Sequence, residues 1–464
     1  MVRRITHSGL VSDQPINDHF ERETSTGEIA LKRLSVLPPH ESLLCAAVLQ
    51  QFPLALFFTR NARFVSFGFF LALFSSFGQT FYVALFNGVL NDELGLSSSQ
   101  LGGLYGAATF ISAVLLIGIG KLIDVWDLRV FTVFSFTILA AACLMFANVT
   151  GPLTLLVAIL GLRLGGQGLM SHTALTSMSR YFENERGIAV SIANIGFAAG
   201  VAIFPFIGAV IIAVYGWRGI WTGSAVFILC ICLPWALFLL RGQTTRHANY
   251  VERQNAPQDE TSPPRALGWT RSQVLRDKRF YLLMPIMMSM PFVATGIQFH
   301  QIELVEEKGW VLATFASGYF VAAIFNVVGG LSVGSFITRL GGISRIMPWF
   351  MAPLCVSMIL LVSFDTPLII WIYMITNGIN GGMFGVVHNV LWAELYGTQH
   401  LGAIRSLVTS TTIFAAALAP AVMGWLLDSG WTMRLIAAVS LGYIVVAMVI
   451  TTRVKIASIP PPAR

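Results

Sequence analysis

Apolar residues run along this chain in long unbroken blocks. They do not alternate as in a half-buried strand, and they do not form the single stripe of a surface helix. Twelve blocks come within a turn or so of the ~20 residues that a helix needs to cross hydrocarbon. They fall at 64–90, 102–120, 129–148, 152–180, 187–214, 219–240, 280–302, 311–337, 346–363, 367–395, 402–427 and 431–451. Gly, Ala, Ser and Thr recur inside them, the small residues that let helices approach closely in lipid. The pattern predicts an all-α membrane protein with twelve transmembrane helices, here called spans one to twelve.

Most connections between blocks are short. The exception is 241–279, polar and with three prolines in "APQDETSPPRALG", which reads as a linker between two six-helix halves. The expected organisation is a tail at 1–62, an N-terminal half at 63–240, the linker, a C-terminal half at 280–452, and a tail at 453–464. The stretch "SLLCAAVLQQFPLALFF" (Ser42 to Phe58) in the first tail is apolar but interrupted. An interfacial helix, a disordered tail and a misplaced start codon are all open readings. The preceding polar residues argue against a signal peptide.

Composition agrees with the pattern: 55% of the 464 residues are hydrophobic and 11% charged, against ~25% charged in soluble domains. The net charge of +7 does not indicate nucleic-acid binding, because the basic residues form no continuous face. They work better as topology signals. With both termini and the linker in the cytoplasm, only Arg218, Lys308 and Arg434 lie outside and Arg163 lies within a span. The positive-inside rule selects that orientation, in a bacterial cytoplasmic membrane. The five cysteines show no zinc spacing and read as buried thiols. No Walker-type phosphate loop occurs, so no nucleotide, metal or other cofactor is called for. HExxH is absent, and no Asp or Glu falls mid-span, which argues against an intramembrane enzyme.

The two halves repeat. An offset of 214 pairs Asp92 with Glu306, Glu93 with Glu307, Gly95 with Gly309 and Tyr105 with Tyr319; an offset of 215 pairs Gly166 with Gly381, Tyr181 with Tyr396 and Pro205 with Pro420. A nearly constant offset implies a six-helix unit duplicated in parallel, with its axis along the membrane normal. A solute site is then expected near the midplane between the halves.

Depth ranks the polar residues. Arg163 lies about 5 Å from the middle of span four, where an arginine costs ~2.5–3.5 kcal/mol on insertion scales. It reads either as a brace satisfied by a salt bridge or by carbonyls, or as a fixed positive charge for an anionic solute. No intramembrane carboxylate is available to neutralise it, which favours the second. Gln79 and Tyr82 in span one, Gln298 and His300 in span seven, Asn326 in span eight, and Asn377 and Asn380 in span ten are further candidates. Each alone is equally compatible with a helix–helix hydrogen bond. Together they suggest a polar, neutral-to-positive cavity lined with aromatics. His172 and His388 fall at nearly the same depth in the two halves, towards the cytoplasm. They read either as histidines bonded to neighbouring helices or as a pair near the inner gate that titrates close to neutral pH.

Several stretches resemble the major facilitator superfamily. "GKLIDVWDLR" (Gly120 to Arg129) is similar to the family's cytoplasmic loop between spans two and three, and "GSFITRLGGISR" (Gly334 to Arg345) to its echo between spans eight and nine. "RLGGQG" (Arg163 to Gly168) resembles the intramembrane arginine motif, and Arg186 to Arg218 a fifth-span pattern. "FHQIELVEEKGW" and "GVVHNVLWAELYG" look most like the monocarboxylate and oxalate/formate branch. Val125 and Asp127 depart from the first loop's pattern, and Thr338 stands in the second loop where the first has Asp124. The resemblance implies a monomeric secondary transporter working by rocking of two halves. It also implies that Asp124 caps span eleven, with Arg129 and Arg339 in the same cytoplasmic gate. The expected function is proton-linked uptake of a small organic solute, a carboxylate or an aromatic vitamin-like compound such as a flavin. The alternative is proton-driven efflux of a drug or trivalent metalloid.

Overall fold

The computed structural model describes residues 53–454 apart from 121, 183–185, 249–268, 341 and 398–400. The chain divides into a unit Met1–Val65 and a unit Ser66–Arg464. The apolar stretch at 42–58 lies largely outside the described residues, as does the end of the C-terminal tail. Every regular element among the described residues is helical.

Among the described residues, ten helices are long and apolar enough to cross a membrane by themselves. An eleventh crossing is span one, where Asn61–Gly78 and Thr80–Leu94 meet at a 46° bend. The remaining expected crossing, span nine at 346–363, forms an α-helix only over Ala352–Ser363. Twelve residues rise about 18 Å, short of the ~30 Å hydrocarbon core. Pro353, at the start of this helix, lacks the N–H that a preceding turn would need, and the chain from 346 to 351 runs in turns instead.

Polar residues at the ends set the helix boundaries. Ser97 and Gln100 form a capping box at the start of span two, Ser98–Ile119. Asp127 caps span three, Leu128–Ala147, through the Arg129 N–H. Thr432 caps span twelve, Met433–Thr452. Such caps are worth ~1 kcal/mol each. Asp277 caps span seven, Lys278–Phe299. Partial burial of its carboxyl would raise its pKa, but hydrogen bonds from Arg279 outweigh that and hold it below the usual carboxylate range.

The duplication is visible in the backbone. Asn87–Leu94 recurs 214 positions later as Gln301–Lys308, and both helices end on a left-handed glycine, Gly95 (φ 62°) and Gly309 (φ 65°). An L side chain at either glycine would be strained. Spans two and eight begin at Ser98 and Leu312, again 214 apart. Tyr181 and Tyr396 end spans four and ten, 215 apart.

The halves close on one another at the end that carries Gly95, Gly309 and Gly430. Asn87 donates to the Phe299 carbonyl (2.6 Å), and Gln301 donates to the Phe81 carbonyl (3.4 Å). The Ser98 and Ser99 N–H groups donate to the Asp428 carboxylate (3.1 and 3.0 Å), a favourable charge at a helix N-terminus. Spans two and eleven meet backbone to backbone, so that a Cβ on Gly102 would lie 2.3 Å from the Pro420 oxygen. The cross-half hydrogen bonds among the described residues cluster at this end. An apolar groove of about 590 Å³ lies between span five (Ile203, Phe206, Ile207) and Phe320, Val321 and Trp371 of spans eight and ten. It holds none of the predicted site residues.

Candidate functional site

The site starts from a defect in span one. Gln79 adopts an extended backbone (φ −88°, ψ 150°) between the turn Ser75–Gly78 and the helix Thr80–Val83. A break in hydrocarbon must find other partners for the freed backbone groups. Arg163 supplies one. Its Nη1 donates to the Gly78 carbonyl (2.9 Å) and reaches Thr80 Oγ1 (3.5 Å). The two chains nearly touch here, since a Cβ on Gly166 would lie 2.6 Å from the Gly78 nitrogen. Arg163 opens a π-helical stretch, Arg163–Met170, a wide turn often found at functional sites.

Arg163 is 2% exposed, and its Nε is buried without a hydrogen-bond partner. No carboxylate pairs with it among the described residues. Its guanidinium lies 5.1 Å from the centre of the Tyr105 ring, a contact worth ~2 kcal/mol when desolvated. The Tyr105 hydroxyl donates to Thr80 Oγ1 (2.7 Å). The arginine is thus held by neutral groups, a carbonyl, a hydroxyl and an aromatic face.

Tyr105 also carries the network into the other half. Its ring centre lies 4.5 Å from that of Phe299, and the next residue is His300, fully buried. His300 sits at a break in span seven, between Lys278–Phe299 and Gln301–Lys308. Its Nε2 is 3.0 Å from the Pro420 carbonyl and its Nδ1 is 3.1 Å from Glu303 Oε1. That same carboxylate oxygen accepts from Ser98 Oγ across the halves (3.3 Å). The Gln301 side chain accepts from the Tyr319 hydroxyl (2.9 Å).

The other predicted residues scatter. Gln79 is buried at the break itself, and Gln298 is half-buried. Tyr82 is enclosed by Phe77, Phe86, Phe204 and Trp221, with ring centres 5.4–5.8 Å away, inside the N-terminal half. Asn326 is exposed. Asn377 and Asn380 are both buried with Oδ1 unpartnered, and Asn380 Nδ2 donates to the Phe350 carbonyl. His172 meets the Gly120 carbonyl (3.2 Å) and His388 lies beside Phe384 (5.4 Å). Each of the two histidines therefore sits within its own half. Arg129 is half-buried and Arg339 exposed, while the side chain of Asp124 lies outside the described residues.

Sequence reasoning missed Thr80, Asn87, Gln301 and Glu303. Glu303 had a legible signal, since it stands three residues after His300 on one helical face. The acidic groups of "NDEL" and "VEEKG", read as solvated, are engaged. Glu93 accepts from Trp217 and Arg218 (2.7 and 2.8 Å). Glu307 accepts from the first N–H groups of span twelve, at Met433 and Arg434. Lys308 is buried on the Leu361 and Phe364 carbonyls and on Asp365.

With the duplicated bundle and its central arginine in place, comparison with known proteins decides the family. The Major Facilitator Superfamily's sequence profile matches residues 67–393. The chain belongs to the Major Facilitator Superfamily. As a member it is a multi-pass membrane transporter of small solutes. No curated protein sequence matches it. Among solved structures, nucleoside transporter NupG superposes with a TM-score of 0.65 at 14% identity, covering 85% of this chain and 99% of that one. A bacterial homolog of the human lysosomal transporter Spinster, inward-facing and unoccupied, gives 0.63 at 14% identity, covering 84% and 96%. At that identity the likeness speaks for the fold.

Proposed function

We propose that this major facilitator is a proton-linked secondary transporter that takes up a small organic solute, a carboxylate or an aromatic vitamin-like compound such as a flavin, with the carboxylate favoured. The observation that carries this reading is Arg163, a buried guanidinium near mid-span with no carboxylate partner among the described residues. A fixed cation in low dielectric favours a solute that brings the missing negative charge. Tyr105 supplies an aromatic face beside it, and Phe299 packs on Tyr105 in turn. Asn377, with its buried unpartnered oxygen, is a candidate donor and acceptor for the solute's polar edge. Basic residues crowd the connections at the linker end. We therefore place that end in the cytoplasm and read the closed Gly95 end as facing outward. The cation without a carboxylate partner among the described residues supports an anionic solute, and so the uptake reading, over efflux of a drug or metalloid. No set of three metal-ligating side chains occurs among the described residues.

The test is uptake into vesicles holding the purified protein, with a panel of labelled monocarboxylates, dicarboxylates, riboflavin and nucleosides, with and without an imposed pH gradient. Carboxylates should accumulate, faster with the outside acidic. Arg163→Ala should lower uptake at least ~100-fold, equivalent to ~2.7 kcal/mol. Arg163→Lys keeps the charge but not the fork and should fall between the two. Normal uptake by Arg163→Ala, or accumulation of neutral nucleosides alone, would refute the anion reading.

A further inference from the structure

The hydrogen bonds around His300 do not close without an extra proton. The Pro420 carbonyl can only accept, so Nε2 at 3.0 Å must donate to it. In a neutral imidazole Nδ1 is then a bare lone pair, and it faces Glu303 Oε1 at 3.1 Å. An ionised carboxylate there would set acceptor against acceptor. The other tautomer moves the same conflict to Nε2. Both contacts are satisfied only when the two side chains hold one proton more than neutral histidine and carboxylate. Imidazolium with carboxylate and imidazole with carboxylic acid both meet that count.

The same two residues sit on the seam between the halves. Glu303 Oε1 accepts from Ser98 Oγ of span two, and Glu303 Oε2 is buried without a partner. Ser98 also donates its N–H to Asp428 of span eleven. We propose that His300 and Glu303 form a single-proton site that holds the Gly95 end closed. With the proton bound, the pair is neutral or internally paired and the seam shuts over it. With the proton lost to bulk water, two acceptors face each other beside a buried carboxylate oxygen, and the closed form is weakened. Raising the pH therefore opens this end, and lowering it reloads the pair from the water on that side. The site deepens the proton-linked reading above and rests on it for its role in transport.

Neighbouring charged groups are otherwise engaged. Asp428 of span eleven is held by the Ser98 and Ser99 N–H groups, and the Tyr105 hydroxyl of span two by Thr80. Tyr319 of span eight donates to Gln301. On the same helix, Glu307 holds the start of span twelve beside Arg434, Lys308 turns to Asp365, and Glu306 is exposed. Span one presents Asn87, which does not titrate.

The test reads distance rather than transport. Asp92 and Ser429 are exposed at this end, one in each half. In full-length protein with the native cysteines replaced, Asp92→Cys and Ser429→Cys carry spin labels, and double electron–electron resonance is recorded in lipid nanodiscs from about pH 5 to about 8. The distance distribution should move to longer values as pH rises. Glu303→Gln, whose amide donates to Nδ1 permanently, should stay short throughout. His300→Gln, whose amide still donates to the Pro420 carbonyl, should also lose the pH response. A wild-type distribution that ignores pH, or variants that shift as the wild type does, would overturn the proposal. Vesicle uptake under a pH gradient decides the coupling reading separately, since it can fail while the distances still respond.

Discussion

Spans one and seven began as the same element and now do different chemistry. Both end in an eight-residue helix that stops on a left-handed glycine, preceded by a 3-10 turn at Ala84–Phe86 in span one and by the break at His300 in span seven. The break at Gln79 belongs to span one alone. At the shared register the N-terminal half has Phe86 and the C-terminal half has His300. Phe86 is packed by Trp221, Tyr82 and Phe146, whereas His300 is held by Pro420 and Glu303. One position later, Asn87 and Gln301 each reach across to a backbone carbonyl of the opposite half. The duplication kept the backbone device and the reciprocal clasp. It let the buried side chain diverge, leaving the fixed cation in one half and the titratable pair in the other.

Exchanging the divergent residues should break that comparison hardest. Phe86→His would place an imidazole among the rings of Tyr82, Phe146 and Trp221, losing packing and lacking the carbonyl and carboxylate partners that His300 has. We expect a loss of ~3 kcal/mol or more, read as a large drop in the melting temperature of the purified protein. A melting temperature near that of the wild type would mean that this register tolerates either chemistry.

The clasp gives a smaller effect. Asn87→Ala removes a 2.6 Å bond to a buried carbonyl, and Gln301→Ala removes a 3.4 Å one while also orphaning the Tyr319 hydroxyl. Each should destabilise by ~1–3 kcal/mol, with labels at 92 and 429 moving apart in both variants. If only one variant opens the seam, the clasp is not reciprocal.

The smallest effect concerns Asp365, on the connection before span ten. Hydrogen bonds from Arg434 and Lys308 hold its carboxyl down to about 2. A carboxylate whose folded pKa is depressed contributes stability above its unfolded value. That contribution is lost as pH falls through the folded one. Wild-type protein should therefore lose a little thermal stability between about pH 4 and about 2, and Asp365→Asn should flatten that part of the profile. In the N-terminal half Arg218 pairs instead with Glu93, the register partner of Glu307, and Leu94 stands at the register of Lys308; that exposed pair serves as the internal comparison.

Much of the architecture was legible along the chain. The offset of 214 to 215 survives because each half must bury the same helix faces, so small residues and helix stops keep their register. Gly95 and Gly309 stood at one register of the repeat, and both turns fall there. The break at Gln79 was not legible, because "FGQTFY" contains no proline and reads as helix. Arg163 stood out by depth, but its Gly78 partner lies 85 positions away. His300 was chosen as a solute ligand on polarity. Its actual neighbours are Glu303, three residues on, and Pro420, 120 residues on.

The sequence by itself determined the class of protein, the number of helical blocks to within one, and the internal duplication. Hydrophobic length and periodicity answer to the bilayer, which acts on every residue alike. Only the tertiary structure decided where the first and seventh spans break, which polar groups satisfy each other, and which end of the bundle is closed. Those follow from distances between residues far apart in the chain. A buried polar side chain is defined by the partner it finds, and that partner is not written beside it.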